Sequence, residues 1–270
     1  MRASLDSCWA KQDRALEQLK ALDKAIKGWL EGNPYQVREN LDANTGVYEL
    51  RIKPNAIPPG WSIIIGEILH DLRSALDHLV WQLTLANGYT PPRRFSRRKT
   101  RWRFIEFPIY VNGLDFRSRL ERRSNPLWGI SDPARAFIDD YQPLHGGKMA
   151  TRDALWVLNE LNNIDKHRTL HLTAMYLQHA KFTTAPFKGA GTITPLYAYP
   201  FPGKLKEDTV IFRAQITPPN LQMGVQTEAT LDVIFDEGTA HVEGLRVGQS
   251  LAMIGAAVWH VLTDAKPFIS

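Results

Sequence analysis

Arg73 and His78 stand five residues apart in the stretch Arg73-Ser74-Ala75-Leu76-Asp77-His78. An arginine can hold a phosphate, and a histidine can move a proton near neutral pH. Together they suit RNA cleavage in which the 2′-hydroxyl attacks the neighbouring phosphate. That reaction needs a base, an acid and charge stabilisation, but no metal. Five residues along a helix is about 140° of rotation, so the two side chains diverge within one helix. They converge only across a cleft, or across a two-fold dimer in which each copy supplies its own pair. The same spacing has a structural reading, in which Arg73 pairs with Asp77 at i+4 and His78 bonds Ser74 or Asp71.

A second polar block, Leu161-Asn162-Asn163-Ile164-Asp165-Lys166-His167-Arg168, interrupts another apolar stripe. Leu155, Leu158, Leu161, Leu172 and Tyr176 recur at helical spacing, and Asn162, Asp165 and Thr169 fall among them. A carboxylate facing a core is costly unless it is paired. Asp165 is therefore expected to meet a positive or hydrogen-bonding partner, and Arg73 and His78 are the candidates. On this reading Ser74, Asp77, Asn162, Asp165 and Lys166 position the Arg73/His78 pair. The alternative is a buried salt bridge that sets helix register.

Between Pro91 and Arg123 there are eleven Lys/Arg and three acids, a local excess of +8 in a chain whose net charge is +5. The remainder is thus mildly acidic, and the pattern points to an anionic partner. Arg93, Arg94, Arg97, Arg98, Lys99, Arg101 and Arg103 interleave with Phe95, Trp102 and Phe104. Cations for phosphates and rings for stacking are what single-stranded RNA binding uses, so Trp102 joins the seven cations as a candidate RNA contact. The alternative is a solvated loop anchored by Trp102 and Phe104.

Other chemistries find less support. Glu67-x-x-His70 has the spacing of di-iron bundles but no second copy, and His167-x3-His171 has no third ligand, so no metal or cofactor is expected. Walker, dinucleotide-binding and nucleophile-elbow motifs are missing from the sequence. The single cysteine, Cys8, permits no internal disulfide and fits a reducing cytoplasm. The longest uncharged apolar run, Leu251 to Leu262, is too short to span a membrane.

The elements that carry these residues follow from periodicity and punctuation. Helices are predicted at about 4–31, 61–87, 153–177 and 249–264. The second has Ile65, Ile68, Leu69, Leu72, Leu76, Leu79 and Leu83 on one face, and Pro58-Pro59-Gly60 before it. His70, Arg73 and Asp77 lie on one flank of that stripe, and Glu67, Asp71, Ser74 and His78 on the other. Short helices are predicted at Leu114–Arg123 and from Ser131-Asp132-Pro133 to Asp140. Tyr35–Asp42 and Gly46–Lys53 read as a β-hairpin. Strands are also predicted at 182–186, 192–199, 209–216, 228–235 and 241–247. The expected architecture is α+β and mainly helical. It is a single domain over 1–270, with a four-helix bundle core, a β-hairpin and a β-rich antiparallel insertion at about 180–247.

The stretch R-S-A-L-D-H inside a long helix of such a bundle resembles the signature of the HEPN superfamily, whose active members carry R-x4-6-H. The resemblance implies a helical bundle, frequent homodimerisation, and metal-independent endoribonuclease activity in toxin, phage-defence and RNA-processing settings. It makes Arg73 and His78 catalytic. Ser74 fills the position after the arginine, where the family often has Asn, Asp or His. The β-rich segments depart from the family pattern, and many bundle members of the superfamily are inactive. The expectation is thus an RNA-cleaving, cytoplasmic homodimer, with a non-catalytic binding or scaffold bundle as the alternative.

Overall fold

The computed structural model describes residues 2–32, 34–89, 101–184, 192–200, 203–205, 208–219, 225–236 and 241–269. Four long helices dominate it: α1 (Asp6–Glu31), α2 (Gly60–Ala86), α5 (Ala154–His167) and α6 (Val247–Asp264). α1 and α5 each pack against both α2 and α6, which closes a ring of four. Pairings along α1 and α2 run in opposite directions. Ser4 N–H donates to Gln82, Lys11 pairs with Asp71, and the Trp29 and Trp61 rings meet at 5.6 Å. The apolar stripe of α2 (Ile65, Ile68, Leu69, Leu72, Leu76 and Leu79) is at most 1% exposed and forms the centre of the bundle. Burying each such side chain contributes roughly 1.5–3 kcal/mol.

Two polar groups tie the helices inside this core. Gln12, fully buried, donates to the Gly255 carbonyl at 2.8 Å and so links α1 to α6. Asp71, 3% exposed, receives Lys11 at 2.6 Å and lies 3.3 Å from Arg14, linking α2 to α1.

The shorter helices begin where their caps place them. Asn112 accepts from Leu114 N–H at 2.8 Å to open α3 (Gly113–Glu121). Ser131 accepts from Ala134 N–H to open α4 (Asp132–Asp140), with Pro133 in its first turn. Asp153 accepts from Leu155 N–H at 2.8 Å to open α5.

The predicted helix over 153–177 is corrected by the structure: α5 ends at His167, and 172–184 is strand β3. Arg168 already has extended angles, φ −164° and ψ 156°. Beyond it the chain turns into a strand whose Leu172 and Thr173 pair antiparallel with Phe235 and Ile234, long-range partners that the helical wheel could not show. The strand predicted at 241–247 is likewise a turn with one bridge, Ile234 to Arg246, before α6.

The hairpin β1 (Tyr35–Leu41) and β2 (Val47–Pro54) does not stand apart from the insertion. It continues into β6 (Thr209–Thr217) and β4 (Thr192–Ala198), forming an antiparallel sheet of order β1-β2-β6-β4. A second sheet has the order β5-β3-β7, with β5 at Gly203–Lys204 and β7 at Val225–Phe235. Gly46, at φ +71°, lets the hairpin turn lie against β6, because a Cβ there would meet the Ile216 carbonyl at 2.5 Å. Tyr48, Leu50, Ile52, Ile211, Ala214 and Ile216 form a separate buried cluster over this sheet. Leu30, near the end of α1, packs against both that cluster and the helical core. Among the described residues no helix is long and apolar enough to cross a membrane.

Candidate functional site

Arg73 leaves α2 on the flank that faces α5 and the segment Ile105–Asn112. It is 8% exposed. Its Nη2 donates to the Phe107 carbonyl at 2.7 Å and lies 3.1 Å from Asp77 Oδ1. The same Asp77 Oδ1 accepts the Phe107 N–H at 2.9 Å. One turn of α2 therefore holds both backbone groups of a residue whose side chain is fully buried. Burial pushes the Asp77 carboxyl above its ordinary pKa, against the opposing pull of Arg73 and the Phe107 N–H.

The grip continues along the segment. Gln142, 3% exposed, donates to the Pro108 carbonyl at 2.8 Å and accepts from Tyr110 N–H at 3.1 Å. Leu144 N–H donates to the Tyr110 carbonyl at 2.9 Å. The residues preceding the basic segment are held too. Asn87 donates to the Gly129 carbonyl at 3.0 Å, and the Tyr89 ring packs edge-on to Trp128 at 4.9 Å. The chain on both sides of the basic segment is thus fastened to the helical body.

Between the pinned segment and α5 lies a cleft of about 510 Å³. Arg73, Glu106, Tyr110 and Asp115 line one part of it, and Trp156, Asn159, Glu160, Asn163 and Lys166 line the part formed by α5. On α5 these positions recur at three, four and seven residues, so they share one face.

The predicted site residues divide. Arg73, Asp77 and Phe107 are brought together, while His78 is not. It is half-buried on the other flank of α2, between Asp71 and Gln82, whose partners are Lys11 of α1 and Ser4 just before α1. The predicted bonds from His78 to Ser74 or Asp71 give way to others. Ser74 Oγ meets His70 Nε2 at 3.4 Å, and Asp71 is held by Lys11. Asp165 meets neither Arg73 nor His78 as predicted. It sits half-buried against Gly66, where a Cβ would come within 2.6 Å of its Cγ, and the positive group beside it is His70. Burial raises the Asp165 carboxyl and His70 partly offsets the rise. Thr169 is exposed, because the helix has already ended. Asn162, 2% exposed, joins Asp165 in a neighbouring groove that also contains Lys11, Arg14 and Glu67, and Lys166 borders both groove and cleft.

Of the predicted RNA contacts, Arg93, Arg94, Arg97, Arg98 and Lys99 lie outside the described residues. Arg101, Trp102 and Arg103 fall in one 3-10 turn, Arg101–Phe104, in which Arg103 is exposed. Glu67 accepts from Gln18 at 2.7 Å, and among the described residues no three His, Cys, Asp or Glu side chains gather as a metal site.

Sequence reasoning missed Phe107 and Gln142, which act on or through the main chain and leave little pattern. It also missed Trp156, Asn159 and Glu160, whose shared helical face was legible but was weighed only for its apolar side. Compared with family models, curated proteins and solved structures, the chain matches none.

Proposed function

We propose that the chain is a non-catalytic helical-bundle protein that binds single-stranded RNA through its basic segment, with the Arg73/Asp77 pair serving as a structural clamp. The observation that carries this reading is the double grip of Arg73 and Asp77 on Phe107. A guanidinium already neutralised by a carboxylate and bonded to a carbonyl is poorly placed to bind a scissile phosphate. The clamp instead fastens the chain four residues after Arg103, which ties the described end of the basic segment to the helical body. Their density, interleaved with aromatic residues, supports a polyanion with accessible bases. The lone, buried Cys8 fits a reducing cytoplasm.

A second reading, a HEPN-like endoribonuclease in a toxin or phage-defence setting, draws support from one feature. Arg73 borders the cleft and its Nη1 is buried without a hydrogen-bond partner among the described residues, which leaves a donor for phosphate. Catalysis would then require a homodimer in which His78 of a second copy approaches that cleft.

Labelled single-stranded RNA incubated with the protein in excess EDTA separates the two. The clamp reading expects RNA to be bound and left intact, with binding weakening steeply as salt rises. Cleavage that disappears in folded Arg73→Ala and His78→Ala variants would establish the nuclease instead.

A further inference from the structure

We infer that the cleft between α5 and the pinned 105–112 segment is a subsite for one unstacked nucleobase bearing an amino group. The inference rests on the RNA-binding reading for its biological ligand, but the cleft chemistry stands on its own observations. At about 510 Å³ the cleft is within the range of small-ligand sites, roughly 300–1,000 Å³. Its α5 wall offers an indole, Trp156, and two amides, Asn159 and Asn163. An aromatic face accepts a stacked base, and an amide supplies both donor and acceptor to a base edge.

The charge of the lining selects the base over the phosphate. Glu106, Asp115 and Glu160 outnumber Lys166 and Arg73, and Arg73 is already paired with Asp77. Glu106 is taken up by Arg119 at 3.1 Å, which leaves Asp115 and Glu160 as acceptors. Carboxylates repel phosphate and accept hydrogen bonds from exocyclic amino groups. The phosphates would lie outside, toward the exposed Arg103. Two buried donors of the lining, Trp156 Nε1 and Arg73 Nη1, have no hydrogen-bond partner among the described residues. Buried polar groups are rarely left so, and ring nitrogens or carbonyls of a base are suitable acceptors. The wall is also pre-organised, because Arg73, Asp77 and Gln142 hold the backbone at Phe107, Pro108 and Tyr110.

Nucleosides test the cleft without involving the basic segment, since they carry no phosphate. Adenosine, cytidine and uridine are titrated into the ¹⁵N-labelled full chain while the tryptophan indole resonances are followed, with Trp156→Phe identifying its signal. Adenosine and cytidine should move the Trp156 resonance, with uridine at least several-fold weaker. Asn159→Ala/Asn163→Ala should weaken that binding at least fivefold, and Asn163→Ala alone, at an exposed position, provides a variant that keeps the fold. No shift of Trp156, equal response to uridine, or an unchanged response in the variants would overturn the assignment. A parallel titration of labelled single-stranded RNA against wild type and Arg97→Glu/Arg98→Glu reads the other hypothesis. Nucleosides that shift Trp156 in a protein that binds no RNA would leave the subsite standing and remove the RNA-binding reading.

Discussion

Arg73 Nη2 and Asp77 Oδ1 lie 3.1 Å apart, one turn apart on α2, and between them they satisfy the carbonyl and the N–H of Phe107. The pair is therefore a three-body arrangement in which neither side chain can be removed without leaving the other, and a backbone group, short of a partner. Arg73→Ala should lower stability by about 2–4 kcal/mol, since it strands both the Asp77 carboxylate and the Phe107 carbonyl. Asp77→Asn retains an acceptor for the Phe107 N–H and should cost about 1 kcal/mol. Chemical denaturation of the two variants checks the order. Equal losses would mean that the backbone bonds contribute little.

The pH dependence of stability should carry the signature of Asp165. Its carboxyl is raised by burial, so the folded state binds the proton more tightly than the unfolded chain does. Such a group favours folding most at acid pH, and its contribution declines as pH rises from the unfolded carboxyl value through the raised folded one. At neutral pH the charged Asp165 is a burden. Asp165→Asn should thus raise the melting temperature at pH 7, and the gain should shrink as the pH falls from the raised folded value to the ordinary carboxyl value. A gain that is constant with pH would contradict this account.

Glu49 behaves in the opposite sense. Its carboxylate meets Arg51 at 2.9 Å and, across the β2–β6 ladder, Arg213 at 2.5 Å. Arg51 and then Arg213 hold it below the ordinary pKa, so its stabilisation is present at neutral pH and fades as pH falls through the depressed folded value. Because both arginines are partly solvated, Glu49→Gln should cost only about 1 kcal/mol. The loss should diminish in high salt. Thermal melts at low and high ionic strength measure it.

Cys8 is fully buried in α1, and burial pushes its thiol up to about 12. The thiol, not the reactive thiolate, is then the form present at physiological pH. A thiol-specific reagent should label the native protein at the rate of its opening, and rapidly once denaturant is added. Fast native labelling would place Cys8 in contact with solvent.

The amino-acid sequence by itself determined the parts that are local. The four long helices are visible as apolar stripes, and α3, α4 and α5 begin where Asn112, Ser131 and Asp153 cap them, because helix period and capping depend on residues a few positions apart. The Ala43–Gly46 turn announced the hairpin for the same reason. Only the tertiary structure decided that this hairpin pairs with β6, that α5 yields to β3 after His167, and that Arg73 faces Phe107 while His78 faces α1. Each of those outcomes turns on backbone hydrogen bonds or packing between segments far apart in the chain. A main-chain N–H or carbonyl is the same at every residue but proline, so its partner cannot be read from residue type. Leu172 and Tyr176 fit a helical stripe and a strand equally well until β7 supplied the neighbouring ladder.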